Sequence, residues 1–164
     1  GRVDMAFNLV STFRYLDSEP AALAHLEATR RLLKPGGLYV LGFHLTHYRR
    51  DKPQRERWVE RLGEETVVCN TQEGLPDRRL RRSPMRNRLR VTGPETDLLI
   101  ETHWFFRTYD SAQARRLFRR AGLRVLALYD FDYQVGSPRQ RSGERLDSVF
   151  ILQPASLQAH ARDL

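Results

Sequence analysis

The run RRLLKPGGLYVLGF, Arg30 to Phe43, limits the fold more than any other stretch of this chain. Leu23, Leu26, Leu32 and Leu33 recur at roughly helical spacing, and Arg30, Arg31 and Lys34 suit the negative end of a helix dipole. Pro35 disfavours a helical residue before it and Gly36 accepts positive φ, so the spacing predicts that a helix stops at Lys34-Pro35-Gly36-Gly37. The helix should begin at Ser18, a capping residue followed by Glu19 and Pro20 in the first turn. LYVLGF then reads as a near-continuous apolar strand of the kind covered on both faces in a parallel sheet. Upstream, VDMAFNLV, Val3 to Val10, has the pattern of another buried strand. Strand, helix, tight turn and strand make a βαβ crossover, and the fold class is α/β.

Further along, PQRERWVERLG is expected to be helical, with Trp58 and Val59 on its inner side. ETVVCNT, RNRLRVTG and TDLLIETHWFFRTY read as three strands, the last two joined as a hairpin at Gly93-Pro94-Glu95-Thr96. In the last strand, Leu98, Ile100, Thr102, Trp104 and Phe106 fall on one face. YDSAQARRLFRRAGL is a second helix, capped by Asp110 or Ser111 and closed by Gly122. RVLALYDFDY and DSVFILQP, joined by the polar loop QVGSPRQRSGERL, are expected to pair antiparallel and close the sheet.

A chain of 164 residues with 40% hydrophobic and 29% charged residues is long enough for one core and reads as globular. Cys69 is the sole cysteine, which excludes an internal disulfide and fits a reducing compartment. No apolar stretch reaches the length of a membrane span and no signal peptide is visible, so the cytoplasm is the expected location. The formal charge of +8 comes from arginine, since Lys34 and Lys52 are the only lysines. Such a bias fits either a nucleic-acid surface or a general preference for arginine on solvated faces.

The order of elements resembles the C-terminal part of a class I S-adenosylmethionine-dependent methyltransferase, a Rossmann-like sheet with an antiparallel β insertion. VDMAFNLVSTFRYL is similar to the family's fourth strand and its loop, RRLLKPGGLYVLGF to its helix and fifth strand, and FRTYDSAQARRLFRRAGLRVLALYDFD to its last helix and sixth strand. NLVSTFRYL and the insertion resemble the small-molecule enzymes of the glycine N-methyltransferase type. The resemblance implies a partial methyltransferase domain over residues 1–154, with 47–108 as an inserted substrate cap and 155–164 as a tail. It also implies S-adenosylmethionine as cofactor and a small-molecule methyl acceptor as partner. The family's glycine-rich loop after its first strand, and the acidic residue ending its second, have no counterpart here. Gly36-Gly37 lies in a helix-to-strand turn instead. The expectation is that the N-terminal half of the domain is missing and that residues 1–164 alone are inactive and bind cofactor weakly or not at all.

Methyl transfer from a sulfonium is an in-line displacement, for which an enzyme aligns the acceptor and excludes water beyond the carboxyl ends of its strands. By resemblance, Asn8, Leu9 and Val10 meet the methionine end of the cofactor through backbone groups, with Tyr15 nearby, while Ser11, His44 and Thr46 face the acceptor. For Leu9 and Val10, plain strand packing is the competing reading. His44 is the candidate catalytic residue, as hydrogen-bond donor or proton acceptor, against a structural role for a lone histidine. His47 and Tyr48 are lesser candidates at the entrance, and His103 is expected to face solvent. A metal site at His44 and His47 is rejected. Asp130 and Asp132 read either as an acid/base pair or as loop-capping carboxylates, with the second favoured. Trp104, Phe105 and Phe106 either stack a planar substrate or pack the sheet against a helix. RRLRRSPMRNRLR either binds an RNA backbone or another anion, or forms a charged edge that resists aggregation. The reading of a different class is therefore a basic RNA- or polyanion-binding module without catalysis, and a further one keeps the enzyme with RNA or protein as acceptor.

Overall fold

The computed structural model describes residues 1–131 and 147–155. The chain forms two compact units, 1–47 with 109–164, and 48–108.

The first unit is built on a four-stranded mixed sheet in the order β1-β2-β8-β7. β1 (Val3–Asn8) lies parallel to β2 (Leu33–His44), and α1 (Glu19–Leu32) makes the crossover between them. α1 starts as its sequence predicts: the Ser18 hydroxyl accepts from the Ala21 amide and Pro20 sits in the first turn. It ends two residues before Lys34. The Leu33 amide makes the last helical bond, to Thr29, and Leu33 is already extended. The Lys34-to-Gly37 turn lies within β2, where Gly36 takes φ +81°. Arg2 donates its amide to the Leu32 carbonyl, so pairing with β1 begins where the helix stops.

α2 (Ser111–Arg120) is capped by Asp110, not Ser111. The Asp110 carboxylate accepts from the Gln113 amide at 2.8 Å, and the Gln113 side chain accepts from the Asp110 amide at 2.9 Å. Gly122 follows at φ +71°, a conformation glycine adopts without steric cost. β7 (Leu123–Tyr129) and β8 (Asp147–Pro154) pair antiparallel, and β8 also pairs antiparallel with β2. Residues 132–146 of the loop between them, Asp132 included, and the tail beyond Ala155 fall outside the described residues.

One face of this sheet carries the core. Tyr39, Leu41 and Phe43 of β2 and Phe150 and Leu152 of β8 are buried against Leu26 of α1 and Leu117 and Phe118 of α2. On the opposite face, Met5 and Phe7 register with Leu38 and Val40, and Val40 and Gly42 with Ile151 and Val149. There β1 departs from expectation: it is an edge strand, and Phe7 is 72% exposed. Its apolar run predicts burial, yet among the described residues nothing covers that side of β1.

The second unit is a separate antiparallel sheet in the order β3-β4-β5-β6. Its strands are β3 (Gln54–Leu62), β4 (Glu65–Glu73), β5 (Arg82–Thr92) and β6 (Asp97–Arg107). The helix expected over PQRERWVERLG is strand β3, fully paired with β4 from Gln54 to Leu62. The β5–β6 hairpin closes at Gly93 and Thr96, each donating its amide to the other's carbonyl. Among the described residues this unit contains no helix. Trp104 and Phe106 pack edge to face on their own sheet, with ring centres 6.0 Å apart.

Candidate functional site

Within the first unit, the carboxyl ends of β1 and β2 lie side by side, because Asn8 registers with Leu41 in a parallel pair. β1 ends at Asn8, two residues before the predicted boundary, and the chain then breaks sharply. Val10 (φ +55°) and Ser11 (φ +59°) are both left-handed, and a 3-10 turn, Thr12–Tyr15, follows. Left-handed backbone costs an L-residue roughly 1–2 kcal/mol, and β-branched valine tolerates it poorly. Val10 is 79% exposed, so its own packing does not offset that cost. Strain of this kind gathers at functional loops.

Ser11 locks the loop onto β2. Its amide donates to the Gly42 carbonyl at 3.0 Å, and its hydroxyl accepts the His44 amide at 3.1 Å. His44, the last residue of β2, registers with Asp147, the first of β8, and its Nδ1 lies against the Asp147 carboxylate. The imidazole also lies 5.6 Å from the Phe131 ring. Half the His44 side chain and 44% of Asp147 remain open to solvent. A carboxylate on Nδ1 fixes the ring's orientation and favours the tautomer with its lone pair on Nε2.

The sequence-predicted residues thus separate into three groups. Val10 and Tyr15 are exposed and Leu9 is at the boundary of exposure. The Asn8 side chain turns to the core face beside Tyr39, whose phenol is raised by burial, an effect the Asn8 hydrogen bond only partly opposes. Its expected cofactor contact is left to the backbone. Ser11 and Thr46, assigned to the acceptor, are both buried: the Ser11 hydroxyl holds His44, and the Thr46 amide donates to the Tyr109 carbonyl at 2.8 Å. Neither presents an open hydroxyl. Asp147 carries no sequence signal of its role, because only the β2–β8 register brings it to His44. The Tyr48 hydroxyl pairs with that of Thr108 at 2.9 Å, inside the second unit.

In the second unit, strand register sorts charge by face. On one face β3 places Arg55, Arg57 and Arg61, β5 places Arg82, Arg86, Arg88 and Arg90, and β6 adds Arg107. Asp97 and Glu101 are the carboxylates there. The reverse face carries Glu56, Glu60, Glu65 and Glu73, apolar residues such as Trp58, Leu89 and Ile100, and no basic residue. Glu101 bridges Arg86 (2.8 Å), Arg88 (3.0 Å) and His103 (2.8 Å). Hydrogen bonds from Arg86 and His103 hold its carboxyl down to about 2. His103 faces solvent as expected, though on the arginine face, opposite to that of Trp104.

Sequence comparison finds no family profile that matches the chain and no match among curated proteins. Solved structures do match its fold. The sugar N-methyltransferase KedS8 from Streptoalloteichus superposes with a TM-score of 0.74 over 95% of this chain and 58% of its own, at 16% identity. Streptomyces venezuelae DesVI gives 0.72 over 94% and 59%, at 18% identity. An S-adenosylmethionine-dependent methyltransferase from Clostridium acetobutylicum gives 0.70 over 94% and 59%, at 12% identity. The likeness at these identities is one of fold, and the chain spans 58–59% of the lengths of these proteins.

Proposed function

We propose that this chain is the C-terminal portion of an S-adenosylmethionine-dependent methyltransferase whose complete form methylates a small-molecule acceptor. The observation that carries the reading is the strained loop at Val10 and Ser11, set at the carboxyl end of a parallel strand beside the end of β2. Open α/β sheets bind ligands at that place. The fold shared with methyltransferases over nearly the whole chain supports it, and one of those structures is a sugar N-methyltransferase. The open edge and apolar outer face of β1 suit a sheet that continues into further residues of the same domain, since parallel strands are normally covered on both faces.

In this reading the backbone of Asn8, Leu9 and Val10, with Tyr15, holds the cofactor, which when bound supplies a sulfonium-activated methyl group. Ser11 positions the His44 backbone, and Asp147 orients the imidazole so that Nε2 accepts a proton from the acceptor as its nucleophilic atom is methylated. Orientation and exclusion of water supply most of the remaining acceleration. Two measurements test the proposal. Residues 1–164 alone should show weak or no calorimetric binding of S-adenosylmethionine, and tight saturable binding would contradict a site completed by other residues. The protein with its upstream residues should transfer a labelled methyl group to an amino-sugar acceptor, and lose most of that activity in His44→Ala. The lack of an upstream strand and glycine-rich loop would sink the assignment.

A further inference from the structure

We infer that the arginine face of the 48–108 sheet is a binding surface for single-stranded nucleic acid, separate from the histidine site of the first unit. Burial alone does not explain the pattern. A sheet that hides one face puts charges of both signs on the other, yet here the carboxylates of β3 and β4 lie on the reverse face and the guanidinium groups on this one. A general preference for arginine would not respect strand register either. The segregation is one of sign, and it leaves eight arginines against Asp97 and Glu101.

The chemistry fits a phosphate backbone with bases. Arg86, Arg88 and Arg90 are two residues apart along β5, so their side chains emerge about 6.8 Å apart in one row, a spacing suited to successive phosphates. Every basic residue on the face other than His103 is arginine, whose planar fork binds phosphate through paired hydrogen bonds and whose flat surface stacks on nucleobases. Phe105 is half exposed beside them, with Arg82 lying 4.3 Å from its ring centre. At one end of the face a hollow of about 250 Å³ is lined by Arg55, Gln72, Pro84, Arg86 and His103, with Glu73 at its border. Arg86 reaches the hollow from β5, its Nε shielded from solvent. Glu101 takes the other end of that guanidinium. The hollow thus has an apolar wall with guanidinium, amide and imidazole edges, which suits a base projecting from a strand lying across the face.

The test uses the full chain and a fluorescently labelled single-stranded RNA of about 12 nucleotides, titrated by anisotropy over a range of salt. Binding is expected with a dissociation constant of about 10⁻⁴–10⁻⁶ M near physiological salt. The triple variant Arg55→Gln, Arg57→Gln, Arg61→Gln alters exposed side chains of an edge strand and is checked for folding by circular dichroism. It should bind roughly tenfold more weakly or worse, and its log K against log salt slope should become shallower by about 2, from about 0.7 for each phosphate left without its arginine. Glu56→Gln with Glu60→Gln, on the reverse face, should leave the slope unchanged. Absence of RNA binding at low salt, an unchanged slope in the arginine variant, or an equal response to the glutamate variant would each overturn the inference. So would binding to phosphatidylserine vesicles in preference to RNA. None of these outcomes depends on S-adenosylmethionine, so the inference and the methyltransferase reading fail separately.

Discussion

Val10→Asn should make this protein more stable. Val10 sits at φ +55°, where an L-residue pays about 1–2 kcal/mol and a β-branched one lies at the upper end. Asparagine visits that region several times more readily, because its side chain is short and hydrogen-bonds locally. The loss to set against this is small. Burying a whole valine side chain contributes about 1.5–3 kcal/mol, but Val10 is 79% exposed, so only a few tenths are at stake. The balance favours Asn by about 0.5–1 kcal/mol, or roughly 1–4 °C in a thermal transition for a chain of this length. Circular dichroism on heating, with urea unfolding as a second measure, would read the change. Val10→Gly relieves the same strain but adds unfolded-state freedom worth about 0.5–1 kcal/mol, so it should fall near or below the parent. Destabilisation by Asn of about 1 kcal/mol or more would show that the valine side chain is held by its neighbours, and would remove the argument that this loop stores strain.

Asp110→Ala should cost about 1 kcal/mol in urea unfolding by deleting one of the two reciprocal bonds at the start of α2 and disabling the capping box, and Asp110→Ser should recover most of it. Phe118→Ala should cost about 3–5 kcal/mol, since the ring is fully buried and meets Phe150 edge to face at 5.1 Å; an unchanged midpoint would refute the core assignment. Burial lowers the His25 pKa below its ordinary 6.5, so the unfolded chain takes up the proton first as pH falls. Stability should be full above about pH 6.5 and decline below it, and His25→Gln should abolish that decline while Glu101 titrates only at far lower pH.

The βαβ crossover is legible in the sequence because two local signals agree: a capped helix start at Ser18 and a glycine turn feeding an apolar run. The end of α1 is not, since the pull of pairing with β1 at Arg2 and Leu32 acts across some thirty residues of sequence. β3 reads as a helix because the adjacent Trp58 and Val59 can share the inner side of one. The better signal in RERWVER is electrostatic: arginine and glutamate alternate with period two, which places one sign on each face of a strand. His44 stands out by residue type, but its orienting partner does not. Asp147 is over a hundred residues away, and a slip of one position in the β2–β8 register would turn it to the other face. The left-handed pair at Val10 and Ser11 leaves no trace either, because nothing in Val-Ser composition announces positive φ.

The open face of β1 and the arginine face of the second sheet make opposite demands on their surroundings. Beside β1 the outer surface is apolar, with Met5 and Phe7 open to water, and each fully covered side chain of that size would contribute about 1.5–3 kcal/mol. Such a surface is satisfied by a packed layer and has little selectivity beyond shape. The arginine face of the 48–108 sheet is already solvated, so covering it with an apolar layer would cost desolvation of guanidinium groups that have too few carboxylates to pair with. Only an anionic occupant returns that cost, and salt weakens it in proportion to the charges engaged. An apolar layer is therefore the fitting cover for β1, while the arginine face suits a partner that comes and goes. High salt should separate the two: it strengthens apolar burial and releases the anion, so one surface will hold its occupant under the conditions that clear the other.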